Sequence, residues 1–205
     1  MAQTAFVEKT VYDFDELSQS AKENAIHQYA ANHDWWDSVY DDFIQILDIF
    51  GFEVTEHKNG RKHHNIEFSG FYRQGSYAAF SGYYYFRKEM AKKIKEYAPK
   101  DEELHRIAKE LTEMQRKNFY SLSAKFRYSD YSGYSVDMED GRRQYGWMDS
   151  DEPEKHFREI LKDLSSWLYK YLEREYEYLN SEEHFKETCE ANGYTFDCNG
   201  NLDFI

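Results

Sequence analysis

Apolar side chains recur three and four residues apart over several stretches of the chain, the spacing of one helical face. Leu17, Ala21, Ala25, Ile26 and Tyr29 form the first stripe, with Asp13 or Asp15 as its N-cap. Trp36, Tyr40, Phe43, Ile44, Leu47 and Phe50 form the second, which Gly51 stops. A shorter helix is expected over 87–97, ending before Pro99, and Leu104, Ile107, Ala108, Leu111 and Met114 mark the next. Pro153 stands at the start of the clearest stripe, Phe157, Ile160, Leu161, Leu164, Trp167, Leu168, Tyr171 and Leu172. Ser181 followed by Glu182 and Glu183 opens a last helix that Gly193 closes.

Between these stripes the period changes to two. Residues 52–56 alternate as a strand, Asn59-Gly60 supplies a hairpin turn, and 65–72 return as the second strand. Further strands are expected over 78–86, 119–128 and 134–138, with a polar loop over 139–152 and a terminal hairpin around Asn199-Gly200. Blocks of strands joined by tight turns predict an α+β fold, an antiparallel sheet with hairpins packed against amphipathic helices. A length of 205 residues fits a single domain. Its parts are a helical start (13–50), a sheet with helices (52–138), and a long helix with a terminal hairpin (153–205).

Composition changes what the core is made of. Aromatic residues are 19% of the chain, with 19 Tyr and 15 Phe, so rings rather than branched aliphatics must fill the interior. A ring-rich sheet face larger than three or four helices can cover would also leave room for homo-oligomerisation. No stretch approaches the ~18 apolar residues of a membrane span, and the N-terminus lacks a basic start followed by an apolar run. A cytoplasmic protein without a membrane partner is expected. Cys189 and Cys198 fit no common metal spacing and are expected as reduced thiols.

The net charge of −13 is unevenly distributed. Residues 1–56 carry 12 acids against 2 bases, residues 57–136 carry 9 against 16, and residues 137–205 carry 18 against 8. A basic middle between acidic flanks says more about partners than the total does.

An aromatic-Ser-Gly-aromatic tetrad occurs three times in or beside that middle: Phe68-Ser69-Gly70-Phe71, Phe80-Ser81-Gly82-Tyr83 and Tyr131-Ser132-Gly133-Tyr134. Rings packing over strand glycines explain such tetrads structurally; a ring-lined concavity for a flat ligand is the functional alternative. Between the first two lies a turn with Tyr72, Arg73, Gln74 and Tyr77. Tyr72, Tyr77, Tyr83 and Tyr134 could stack a base, Gln74 could bond its edge, and Arg73, Arg87 or Lys88 could meet phosphate. Residues 57–64 add a second basic cluster. His63 and His64, adjacent on a strand, would point to opposite faces and make no metal pair. The acidic helix face with Asp37, Asp41 and Asp42 offers a different mode, imitation of a nucleic-acid backbone. With no phosphate loop, nucleophile elbow, paired-histidine helix or cysteine cluster, a binding protein without cofactor is expected rather than an enzyme.

Several segments together resemble a family of small proteins encoded by tailed bacteriophages. They are Phe14-Asp15-Glu16-Leu17-Ser18 with Ala21-Lys22, and Phe68-Ser69-Gly70-Phe71 followed by Gln74-Gly75. Leu172-Glu173-Arg174-Glu175-Tyr176-Glu177-Tyr178-Leu179, Ser181-Glu182, Ala191-Asn192, Tyr194 and Phe196 complete the set. After Gln-Gly the family usually continues Asp-Gly-Ala, where this chain has Ser76-Tyr77-Ala78. The resemblance implies a phage origin and a non-structural role in the infected cell, and carries no assigned activity. It suggests counter-defence: sequestration of a nucleotide-type immune signal in the host cytoplasm. The alternative is an acidic inhibitor that blocks a basic host nuclease or CRISPR effector by nucleic-acid mimicry. Direct nucleic-acid binding is not expected.

Overall fold

The computed structural model describes residues 9–30, 34–54, 65–142 and 151–203. The fold is α+β with antiparallel pairing throughout, as the alternation of periods predicts. The chain divides into two compact units, one formed by residues 36–173 and one by the two ends of the chain.

In the larger unit α2 (Asp37–Phe50) buries Val39, Tyr40, Phe43, Ile46, Leu47 and Phe50, then stops at Gly51 in the left-handed conformation. A four-stranded sheet follows, with β1 (Phe52–Val54), β4 (Gly82–Tyr85), β5 (Leu122–Ser129) and β6 (Gly133–Asp140) in the order β1-β4-β5-β6. A second pair joins β2 (Ile66–Phe68) to β3 (Ala78–Phe80). Three helices complete the unit: α3 (Met90–Tyr97), α4 (Glu102–Lys117) and α5 (Glu152–Leu179) up to Glu173.

One face of the sheet carries the core, which is built of rings. Phe80 meets Phe43 and Phe126, each with centroids 5.3 Å apart, and Phe157 of α5 lies 5.0 Å from Tyr84 and 5.8 Å from Phe52. Gln115 of α4 is fully buried among them. Its amide donates to the Leu122 carbonyl (2.8 Å) and the Tyr84 hydroxyl (3.2 Å), and its oxygen accepts from the Leu122 N–H (3.2 Å). A buried amide is tolerable only with its bonds made in this way.

Three local expectations within this unit are corrected. β1 and β2 do not pair with each other; both lie along the same side of the 78–85 segment, in the registers Phe52↔Tyr84 and Ile66↔Phe80. An Asn-Gly dipeptide marks a turn, but it does not determine which strand its flanks join. Residues 55–64, with Asn59-Gly60 and the basic cluster, lie outside the described residues. Phe119 and Tyr120 are not in a strand: both take positive φ in the turn after α4. β6 runs on to Asp140, whose buried carboxylate accepts from the Ser121 hydroxyl (2.7 Å) and the Arg142 guanidinium (2.9 Å to Nε). The Arg142 guanidinium holds that carboxyl well below the usual carboxylate range. Of the polar loop expected after it, residues 143–150 lie outside the described residues.

In the smaller unit Phe14–Glu16 form a 3-10 turn, and α1 (Gln19–Tyr29) begins separately, with the Ser18 hydroxyl accepting from Ala21 N–H. The single helix expected from Asp13 or Asp15 is therefore two elements. Phe14, Leu17, Ala21, Ala25, Phe185, Cys189 and Phe196 are buried together there. They draw on α1, on α6 (Glu182–Asn192), and on the hairpin of β7 (Thr195–Phe196) and β8 (Leu202–Asp203).

Candidate ligand-binding face

Alternation along the strands separates two faces of the four-stranded sheet. Phe52, Tyr84, Ala124, Phe126, Val136 and Met138 point to the core. Their neighbours point away and, through the pairing, line up in rows. Arg127 stands beside Ser135. Lys125 stands between Tyr83 and Asp137, and Ser123 between Tyr85 and Glu139. The outward face is thus aromatic on β4, small and basic on β5, and acidic on β6.

Side-chain geometry gives this face a recognisable chemistry. The Tyr83 and Tyr85 rings lie 6.5 Å apart and within 13° of parallel, and the Lys125 ammonium sits 5.7 Å from the Tyr83 centroid. Two adjoining shallow hollows share Lys125 and Asp137. One, of about 290 Å³, is lined by Lys125, Arg127, Ser129, Ser135 and Asp137 among others; the other, of about 190 Å³, by Tyr83, Tyr85, Ser123, Lys125, Asp137 and Glu139. Among the described residues Arg127, Asp137 and Glu139 have no ion pair and no side-chain hydrogen bond. Uncommitted charges of both signs beside stacked rings suit a flat ligand that carries an anionic group.

The residues expected from the sequence do not all gather here. Tyr83 does. Tyr134 faces the core instead; its hydroxyl lies 2.6 Å from Ser165 Oγ and accepts from the Phe80 N–H (3.2 Å). Burial also pushes its phenol up to about 12, and a ring buried with its hydroxyl bonded in this way is part of the core. Tyr77 packs its ring 5.0 Å from that of Tyr128, and the Asp130 carboxylate near its hydroxyl, with partial burial, raises its pKa above the ordinary tyrosine value.

Tyr72, Arg73 and Gln74 occupy the exposed loop between β2 and β3. Ser69 N–H donates to the Tyr77 carbonyl (3.0 Å) and Ser76 Oγ to the Arg73 carbonyl (2.8 Å) to close it. Arg87 and Lys88 lie past the other end of the same 78–85 segment, about 25 Å away for eight extended residues. Arg87 pairs there with Asp48 (3.5 Å) and Glu53 (3.7 Å). One pocket cannot hold both groups. Tyr85, Lys125, Arg127, Asp137 and Glu139 are the residues that sequence reasoning missed. Their signal was the strict alternation of 122–129, which turns Lys125 and Arg127 to the side opposite Phe126.

The acidic face of α2 is partly engaged. Asp42 accepts a hydrogen bond from the Tyr97 hydroxyl, which burial and that carboxylate push up to about 12. Asp37 opens the helix, where the dipole favours an acid, and Asp41 is exposed.

The smaller unit holds a hollow of about 440 Å³, but Lys186 is paired there with Asp15 at 2.5 Å and burial raises the Cys189 thiol to about 11. A paired lysine and an inert thiol leave that hollow little to offer a ligand. Among the described residues no three His, Cys, Asp or Glu side chains cluster closely enough to hold a metal ion, and no helix is long and apolar enough to cross a membrane.

One family model matches, over residues 35–182, and its description is a domain of unknown function (DUF8835). No curated protein and no solved structure matches the chain.

Proposed function

The chain belongs to the DUF8835 family, and we propose that it is a binding protein that holds a nucleotide-type small molecule on the open face of its four-stranded sheet. The observation that carries this reading is the parallel Tyr83–Tyr85 pair with Lys125 over one ring and, one row further along, Arg127, which has no ion pair among the described residues. A base stacks on the tyrosines, and the anionic group meets the two cations. The chemistry on offer is stacking, charge and hydrogen bonding, which is what retention of a ligand requires.

The likeness to tailed-phage proteins supplies the biological setting. In the cytoplasm of an infected cell such a protein withholds a nucleotide-type immune signal from its receptor, a counter-defence role. The alternative, acidic mimicry by Asp37, Asp41 and Asp42, draws less support, because Asp42 and its helix neighbour Asp48 already have partners in the fold. Calorimetry of the full chain against a panel of linear and cyclic nucleotides tests the reading. Binding that is lost in Tyr83→Ala and in Lys125→Ala supports it. Silence across the panel, or binding that both variants retain, overturns it.

A further inference from the structure

The two hollows differ in chemistry along the strand direction, and that difference specifies a ligand more narrowly. At one end Arg127 shares a row with Ser135, and Ser129 stands one row beyond, donors without a carboxylate in either row. In the middle Asp137 and Tyr83 flank Lys125, and at the other end Tyr85, Ser123 and Glu139 share a row. From the Arg127 row to the Glu139 row is four residues of strand, about 13 Å. Anion, sugar and base can therefore each occupy one row.

Resting on the reading above, we propose that the ligand is a guanine ribonucleotide, its base stacked at Tyr83 and Tyr85 with Glu139 reading the base edge and its phosphate at Arg127. An ionised carboxylate only accepts hydrogen bonds, through two oxygens side by side. Guanine presents two adjacent donors on its pairing edge, the ring N1–H and the exocyclic amine, and fits such an acceptor bidentately. Adenine and cytosine each present one donor beside an acceptor, so a carboxylate there meets a lone pair.

The position of Glu139 agrees with this. It lies two strands from Tyr85, about 9–10 Å between backbones, with the small Ser123 as the floor between them. Glu139 has no internal partner among the described residues, whereas Glu53, on the same face, is taken up by Arg87. Asp137, in the middle row, is placed to accept from the ribose hydroxyls.

The experiment compares GMP, AMP and dGMP on the full chain, wild type and Glu139→Gln, with circular dichroism to show that the variant folds. GMP is expected to bind at least about tenfold more tightly than AMP, as a bond to a charged acceptor implies. Glu139→Gln is expected to reduce that preference to within about twofold while AMP affinity is kept. Asp137→Asn is expected to bring GMP down to the level of dGMP. If AMP equals or exceeds GMP while Tyr83→Ala still abolishes binding, the guanine assignment is overturned and the nucleotide site stands. A guanine preference that persists in Glu139→Gln overturns the role of Glu139. If none of the three binds, the guanine proposal falls, and the reading beneath it falls with it only when the wider panel of linear and cyclic nucleotides is silent as well.

Discussion

Gly70, Gly82 and Gly133 occupy the same place in three tetrads, yet the structure gives them different reasons to be glycine. A methyl group at Gly82 would sit 2.1 Å from the Glu53 carbonyl oxygen and 3.0 Å from its carbon. That obstacle is backbone, held by the pairing of Val54 with Gly82 and Glu53 with Tyr83, so no rotamer change relieves it. Gly82→Ala must therefore push β1 off the sheet. The loss includes the burial of Phe52, about 1.5–3 kcal/mol, and one or two backbone hydrogen bonds of about 1 kcal/mol each.

Gly70 and Gly133 meet nothing within 4 Å but hold φ of +93° and +69°. Alanine there costs about 1–2 kcal/mol of left-handed strain. For a chain of this size 1 kcal/mol moves Tm by about 2–4 °C. Gly82→Ala is then expected to lower Tm by about 8–15 °C, and each of the other two by about 3–6 °C. Thermal unfolding followed by near-ultraviolet circular dichroism, which reports on the ring core, is the assay. If Gly82→Ala melts no lower than Gly70→Ala, the close approach of β1 to β4 is refuted.

The buried carboxylate and the two thiols provide further checks. Asp140→Asn is expected to cost about 2 kcal/mol at pH 7, the size of a lost charge-assisted bond, measured by denaturant unfolding. Because the native carboxyl titrates below its unfolded value of about 3.9, its contribution is fully present above that pH and is lost as pH falls through the folded value. The gap between wild type and Asp140→Asn should therefore close in acid, and a constant gap would contradict the Arg142 pairing. At pH 8 a thiol reagent should label the exposed Cys198 in the native chain and reach Cys189, buried and raised to about 11, only on unfolding. Rapid labelling of both would contradict the packing around Phe185 and Phe196.

Helices were legible in the sequence wherever stripes were long and capped: Gly51, Ser181 and Gly193 all stand where the stop or cap was expected. Pairing was less legible. The serines of two tetrads illustrate why, because their partners are remote. Ser69 Oγ accepts from Tyr77 N–H (2.9 Å) and Ser81 Oγ from Tyr128 N–H (3.0 Å), so they stitch a loop and a strand junction rather than line a ligand site. Tyr134 reads as a ligand-stacking ring in the sequence but packs in the core, because period two cannot say which side of a strand is the core until a partner is known. Arg127 and Glu139 went unremarked because single charges on a strand look like ordinary solvent-facing positions. Only the register places them in rows with Tyr83 and Tyr85.

The central claim is that a nucleotide lies on the outward face of β4, β5 and β6, and amide chemical-shift mapping by nuclear magnetic resonance tests it most directly. Titration with GMP, and separately with AMP, is expected to move the signals of Tyr83, Tyr85, Lys125, Arg127, Asp137 and Glu139 and to leave 72–75 and α2 where they were. Shifts confined to 72–75 or to α2, or no shifts at saturating nucleotide, would contradict it.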